Sequence, residues 1–217
     1  MTIEIRNAII YVVIAYLLGS INFAVIFSKI FMKKDVREVG SGNAGATNVL
    51  RSVGVLPGLL TFLFDALKGF IASYFGKVMF EMMDKLEPEK YAIIGAYVCG
   101  LACMLGHVFP IFFKFKGGKG VATSVGIFAV CNPLAITLGL VVFAVVLILS
   151  KIVSLSSLIA TVTVVVLSII FYDFHASILP QAILIIIMGA VVFIKHKDNI
   201  ERLISGSENK IGGKKNG

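Results

Sequence analysis

Apolar residues fall in long, nearly uninterrupted runs, separated by short polar segments. The runs occupy roughly 7–31, 54–80, 91–113, 120–132, 134–149, 155–171 and 180–194, and a bilayer-spanning helix needs about 20 predominantly apolar residues. The first three each suffice. The stretch 120–149 reads either as one long tilted helix or as two short helices meeting at Asn132-Pro133, where proline removes a backbone donor and biases its neighbour away from helix. Charge parity separates the two readings. With two helices, the segments 32–53, 114–119, 150–154 and 195–217 share one side and hold fourteen of the twenty Lys and Arg residues. The opposite side then holds Arg6, Lys77, Lys85 and Lys90, the last three diluted by Glu81, Asp84, Glu87 and Glu89. With one helix the basic tail from Lys195 to Lys215 would be exported, against the positive-inside tendency. The expectation is an all-α polytopic membrane protein with seven transmembrane helices, two of them short (about 120–132 and 134–149). It forms a single domain over 1–217, with the N-terminus outside, the C-terminus cytoplasmic and a short disordered tail from about 211.

Composition removes several function classes. A hydrophobic content of 58% and a mean hydropathy of +0.98 are too apolar for an ordinary soluble domain. The net charge of +8 sits mostly between the apolar runs, which reads as membrane orientation and not as a nucleic-acid footprint. Cys99, Cys103 and Cys131 lie in apolar runs at no metal-ligand spacing, so neither a disulfide framework nor a zinc site is supported. The first run extends past the length of a signal-peptide core and lacks a small-residue cleavage pattern, so it is read as a retained span.

The seven-span arrangement gathers the polar chemistry on the cytoplasmic face. Gly117-Gly118-Lys119-Gly120 opens directly into an apolar run, and a helix starting there offers unpaired N–H groups and a positive dipole end to an anion. It is not a nucleotide-binding loop of the G-x-x-x-x-G-K-[ST] type, because glycine follows Lys119. The segment Gly40-Ser41-Gly42-Asn43-Ala44-Gly45-Ala46-Thr47-Asn48 is a second glycine- and hydroxyl-rich loop, followed by Arg51, a residue suited to bidentate phosphate contact. Ser154, Ser156 and Ser157 follow Lys151 in a third segment, where serine commonly caps a helix. His196, Asn199, Arg202 and Glu208 follow the last span on a short amphipathic pattern with Ile200, Leu203 and Ile204. A transporter would place such groups at mid-membrane depth; their concentration at one interface favours binding or chemistry there. Within the spans, Asp65 and Lys68 are spaced i,i+3, where an isolated charge costs on the order of 2.5–3.5 kcal/mol, so mutual neutralisation is expected. His107 stands at the end of the third span as either a general base or a backbone-bonded interfacial residue.

Three motifs taken together resemble a known family: Gly-Ser-Gly-Asn-Ala-Gly-Ala-Thr-Asn-Val-Leu-Arg at 40–51, Gly-His-Val-Phe-Pro followed by Lys-Gly-Gly-Lys-Gly-Val-Ala-Thr within 106–123, and His-Lys-Asp-Asn-Ile-Glu-Arg-Leu from 196 with Gly206 and Glu208. Over nearly its whole length the chain resembles the bacterial acyl-phosphate:glycerol-3-phosphate acyltransferases. The resemblance implies seven spans in the bacterial plasma membrane and transfer of a fatty acyl group from acyl-phosphate to the 1-hydroxyl of glycerol 3-phosphate. The products would be lysophosphatidic acid and phosphate, feeding phospholipid biosynthesis. Carried over by position, it puts Ser41, Arg51, Lys119, His196 and Asn199 among catalytic groups. Gly42, Asn43, Thr47, Asn48, Gly117, Gly118, Gly120, Ser154, Ser157 and Glu208 fall among substrate- and phosphate-binding groups. Its partners would be the two substrates and the lipid bilayer, with no nucleic acid; contact with the enzyme that produces acyl-phosphate stays open. Asn22 and Ala44 stand where proline is common in the family, which bears on backbone stiffness in the first loop.

Acyl-phosphate is a mixed anhydride with a good leaving group, so the protein has chiefly to bring two anions together and stabilise an oxyanion. A His-x-x-x-x-Asp pair is absent, since Phe112, Pro180 and Glu201 stand five residues after the histidines. Direct attack without an acyl-enzyme is expected, the proton passing to His196 or to a substrate phosphate oxygen. No cofactor and no metal are expected.

Overall fold

The computed structural model describes residues 3–83, 88–173 and 177–212. Asp84, Lys85 and Glu87 of one connection, and the tail residues from Gly213 onward for which disorder was expected, lie outside the described residues.

The architecture is all-helical. Its helices are α1 (Ile3–Gly19), α2 (Phe23–Met32), α3 (Ala46–Ser52), α4 (Val55–Glu81), α5 (Pro88–Val108), α6 (Val121–Cys131), α7 (Pro133–Ser150), α8 (Val153–Ile170), α9 (Ile178–Lys195) and α10 (Lys197–Ile204). Among the described residues six stretches are long and apolar enough to cross a membrane, the first being Glu4–Met32 with α1 and α2 together. Helix α6 is the exception. Its 11 residues rise about 16 Å, half of a hydrocarbon core of about 30 Å.

The expected division at Asn132-Pro133 occurs. Pro133 opens α7 at the position where its missing N–H costs nothing, and the Asn132 side chain caps α7 by accepting from the N–H of Ala135 at 3.1 Å. The first span departs from expectation. It breaks at Ser20–Asn22, and Asn22 caps the restarted helix by accepting from Val25 N–H at 3.2 Å. The expected serine cap on α8 is also absent. Its N-cap is Ile152, while Ser156 and Ser157 lie inside the helix and donate back to the carbonyls of Ile152 and Val153, the local bonding that helical serine adopts.

Helix α5 is the central element: 72% of its most apolar window is buried, against 17–39% for the other spans. It packs most extensively on α4 and also on α1. Backbones approach closely there. A Cβ on Gly19 would strike the Cys103 backbone and one on Gly106 the Tyr16 carbonyl, so α1 and α5 cross through reciprocal glycines. The short α6 lies on α4 in the same way, through Gly69 and Gly126. Small residues at such crossings replace the hydrophobic drive that lipid removes between helices. The remaining large apolar side chains, Leu149, Ile148 and Ile194 among them, face outward, as a lipid-facing surface requires. The chain is an integral multi-pass membrane protein.

Candidate active site

At one end of the bundle a single cavity of about 410 Å³ collects the polar segments. Ser41, Gly42, Asn43, Thr47, Asn48 and Arg51 line it from the first loop and α3, Lys119 and Gly120 from the second turn, Ser154 and Ser157 from α8, and His196, Asn199 and Glu208 from the chain after α9. Those segments are separated by more than 150 residues at the extremes, yet they form one wall set.

The first loop is organised by Asn48. Its buried amide accepts from Ser41 N–H at 3.0 Å and from Ser52 Oγ at 3.3 Å, and donates to the carbonyls of Val36, Val39 and Asn43 at 2.9, 3.0 and 3.0 Å. So Asn48, which the resemblance places among binding groups, spends its hydrogen bonds on loop shape. Gly40 and Gly42 take φ of 60° and 70°, which the loop needs to wrap the amide and which glycine adopts without penalty. Asn48→Ala is expected to lower stability by about 2–3 kcal/mol, from buried carbonyls and N–H left unpaired, read as a fall in the detergent-state melting temperature; Thr47→Ala serves as the near-neutral control.

Arg37 ties this loop to the next. Its guanidinium meets the Asp35 carboxylate at 2.8 Å and donates to the Phe113 carbonyl at 2.9 Å. The Arg37 charge and hydrogen bonds hold the Asp35 carboxyl below its usual range.

The glycines of the Lys119 turn divide between cavity lining and close packing. Gly117 and Gly118 are absent from the cavity lining, and the N–H of Gly118 is donated to the His107 carbonyl at 3.1 Å. A Cβ on Gly117 would strike that carbonyl, and one on Gly118 the His107 imidazole, so these two glycines serve close packing and not a cradle. Gly120, at φ 87°, caps α6. Because the Gly120 carbonyl receives its helical bond from Ser124 N–H at 2.8 Å, the intervening N–H groups lie in the first turn, where no helical acceptor exists. Gly120, Val121 and Ala122 line the cavity, which presents the helix N-terminus to an anion.

Lys119 extends beside that N-terminus and is half-buried, whereas Lys114 and Lys116 are exposed. Its Nζ donates to Asn199 Oδ1. Asn199 in turn donates Nδ2 to Glu208 at 3.1 and 3.2 Å, and Arg202 Nε meets Glu208 at 2.9 Å. Burial lowers the Lys119 pKa to about 8, against the opposing pull of Glu208. His196 is 3% exposed. Its Nδ1 lies 2.8 Å from the Val192 carbonyl, which can only accept, so Nδ1 carries the proton and Nε2 keeps its lone pair. Burial, followed by the charge of Lys119, lowers its pKa to about 4; the imidazole is neutral at physiological pH.

Sequence reasoning passed over the lining groups Lys195, Asp198 and Asn209, whereas Asp65 and His107, singled out along the chain without an assigned role, also border the cavity. Mid-span charge was the available signal for Asp65. Arg51 reaches Asn209 through a long 3.4 Å contact to its carbonyl, and the tail is also held by Ile211 N–H on the Lys151 carbonyl at 2.8 Å. Among the described residues no cluster of three His, Cys, Asp or Glu side chains comes together.

Beside the polar cavity runs an apolar groove between α6, α7, α8 and α9, lined by Phe128, Ile136, Val164, Met188 and neighbours. Val121, Val125, Leu140, Phe143 and Ser157 border both spaces. A polar cavity carrying Arg51, Lys119, Lys195 and Arg202 beside Asp65, Asp198 and Glu208, joined to an apolar groove inside a helical bundle, defines a membrane protein with a two-compartment site. The chain belongs to the glycerol-3-phosphate acyltransferase family, whose model matches residues 9–206. It is 39% identical to a glycerol-3-phosphate acyltransferase of Finegoldia magna over 206 residues, covering 94% of this chain and 96% of the relative. It is 40% identical to glycerol-3-phosphate acyltransferase 2 of Bacillus anthracis, covering 94% and 98%. Among solved structures it is similar to PlsY (YgiH), an integral membrane glycerol 3-phosphate acyltransferase. The glycerol 3-phosphate form matches at 36% identity with a TM-score of 0.82, covering 94% of this chain and 96% of that one. The lysophosphatidic acid form matches at 34% and 0.79, covering 94% and 95%.

Proposed function

We propose that this enzyme transfers a fatty acyl group from acyl-phosphate to the 1-hydroxyl of glycerol 3-phosphate at the cytoplasmic face of a bacterial plasma membrane. The observation that carries the reading is the continuity of the polar cavity with the apolar groove through Val121, Val125, Leu140, Phe143 and Ser157. The two substrates bring two phosphates and one acyl chain, and the site offers Lys119, Arg51, the α6 N-terminus and Ser41 to the anions and the groove to the chain. The retained basic end of α9, α10 and the tail supports a cytoplasmic site.

In the reaction the 1-hydroxyl oxygen forms a bond to the acyl carbon and the carbon–oxygen bond to phosphate breaks, inorganic phosphate leaving with the electron pair. Lys119 and the α6 N–H groups stabilise negative charge on the acyl oxygen and the departing phosphate, the interaction that gains most in the transition state. The hydroxyl proton goes to a phosphate oxygen. A phosphate monoester titrates near pH 6, whereas His196 is held at about 4, so the substrate is the stronger base. His196 Nε2, which keeps its lone pair, is left to accept a hydrogen bond from the 2-hydroxyl of glycerol 3-phosphate and orient the substrate. Ser154 Oγ, buried without a partner in the cavity wall, is free to meet a phosphate oxygen. No acyl-enzyme is formed.

Purified protein in detergent, given acyl-phosphate and glycerol 3-phosphate, is expected to produce lysophosphatidic acid. Turnover with acyl-coenzyme A and none with acyl-phosphate would refute the donor. Labelled acyl groups retained on denatured protein after donor alone would refute direct transfer.

A further inference from the structure

Asp65, Lys68 and His107 form a buried cluster between α4 and α5, exposed by 1%, 2% and 4%, that acyl transfer as described leaves unused. Lys68 has a structural explanation. Its Nζ lies 2.7 Å from Asp65 Oδ1 and donates to the Ile21 carbonyl at 2.7 Å. Ile21 sits in the break between α1 and α2, where a carbonyl freed from the helix must find a partner inside the protein. Asp65 faces the other way as well. His107 Nδ1 stands 3.4 Å from the same carboxylate oxygen, and both Asp65 and His107 border the cavity while Lys68 does not.

His107 touches the Lys119 turn twice. Its carbonyl receives the Gly118 N–H at 3.1 Å, and its imidazole lies so close beneath Gly118 that no Cβ fits. Gly117, Gly118 and Gly120 carry no side chains to anchor the turn, so its height is set by whatever lies under it. We propose that Asp65 and His107 are positioning residues: Asp65 fixes the His107 imidazole, and His107 is the floor that seats the Gly117–Gly120 turn and holds Lys119 at the cavity wall. The proposal rests on the acyl-transfer reading only for the claim that Lys119 placement governs turnover.

The test reads Lys119 directly. The groups facing its ammonium are Glu208, Arg202, Asp198 and Lys195, with Asn199 as its hydrogen-bond acceptor and His196 nearby. The pH dependence of Lys119 labelling by an amine-reactive reagent is followed by mass spectrometry in detergent-purified protein, with Lys114 and Lys116 as internal references. The native midpoint is expected at about 8. His107→Leu frees the turn toward water and raises the midpoint by roughly one to two pH units toward the ordinary lysine range. Asp65→Asn raises it less; loss of a negative charge alone would lower it, so a rise marks release of the turn. His107→Gln, whose longer side chain still reaches beneath Gly118, stays near native. In parallel, kcat/KM falls about 10–100-fold in His107→Leu, the scale of a misplacement near 1 Å, and is largely restored in His107→Gln. Where His107→Leu does not fold, the near-isosteric Asp65→Asn and the shorter His107→Asn, which leaves the space beneath Gly118 unfilled, carry the same measurement, both with raised midpoints expected. Midpoints unmoved in the folded variants overturn the proposal whatever happens to turnover. A raised midpoint in a protein that makes no lysophosphatidic acid sinks the acyl-transfer reading and leaves this one standing.

Discussion

Lys119→Ala is expected to lower kcat/KM about 10³-fold, while Lys114→Ala and Lys116→Ala stay within about twofold. All three residues carry the same charge and lie within six positions of one another, so net charge cannot separate them. Burial does. Lys119 is half-buried against the α6 N-terminus with Asn199 as its acceptor, and a preorganised donor in a site shielded from water contributes about 10²–10³ to rate when it meets charge that develops only in the transition state. Lys114 and Lys116 point into solvent, where an exposed charge is worth at most about 1 kcal/mol. Lys119→Arg should recover only part of the loss, because the planar guanidinium needs a wider fork of acceptors than Asn199 alone supplies. Steady-state kinetics on the three alanine variants, after a check for native melting, decide the matter. Equal losses at all three positions would return the turn to a mere orientation signal.

Glu208→Ala is expected to cost about 10²-fold and to move the basic limb of the pH profile downward. The Glu208 carboxylate is 5% exposed and receives Asn199 Nδ2 and Arg202 Nε, so its removal strands partners of a buried charge pair, an effect on the order of 3 kcal/mol. The sign of the pH effect follows from Lys119. The protonated ammonium is the working form, so native kcat/KM is steady between about 6, below which the accepting phosphate protonates, and about 8, and falls as pH rises through the upper value. Glu208 opposes the burial effect by favouring the charged form; without it the Lys119 pKa drops further and activity is lost at lower pH. Glu208→Gln keeps a hydrogen-bond acceptor but no charge. It should restore part of the rate with the limb still displaced, and an unmoved limb in both variants would remove Glu208 from the control of Lys119.

The two results bear on different parts of the same wall, and they differ in how visible those parts are along the chain. Glycine-rich loops, the i,i+3 pair of Asp65 and Lys68, and the helix break at Asn132-Pro133 are local, because a turn, a helical face or a proline break is set by residues within a few positions. The break at Ser20–Asn22 was hidden because it lies inside one continuous apolar run, and its stability comes from Lys68, forty-seven positions away. The serines of α8 were misread as caps because the choice between capping and an interior turn depends on where the helix begins, which α8 settles at Ile152.

The sequence by itself determined a helical membrane protein, the segments that carry polar chemistry and the family to which those segments point. Hydrophobic run length, charge asymmetry and glycine placement are one-dimensional quantities, and the bilayer enforces them directly. Only the tertiary structure decided which residues of those segments line the cavity. It withdrew Gly117, Gly118 and the Asn48 amide into packing and loop shape, and brought Lys119, His196, Asn199 and Glu208 into one cavity. The physical reason is that close packing and buried hydrogen bonding consume polar groups without regard to their motif, so availability to a ligand is settled by three-dimensional neighbours.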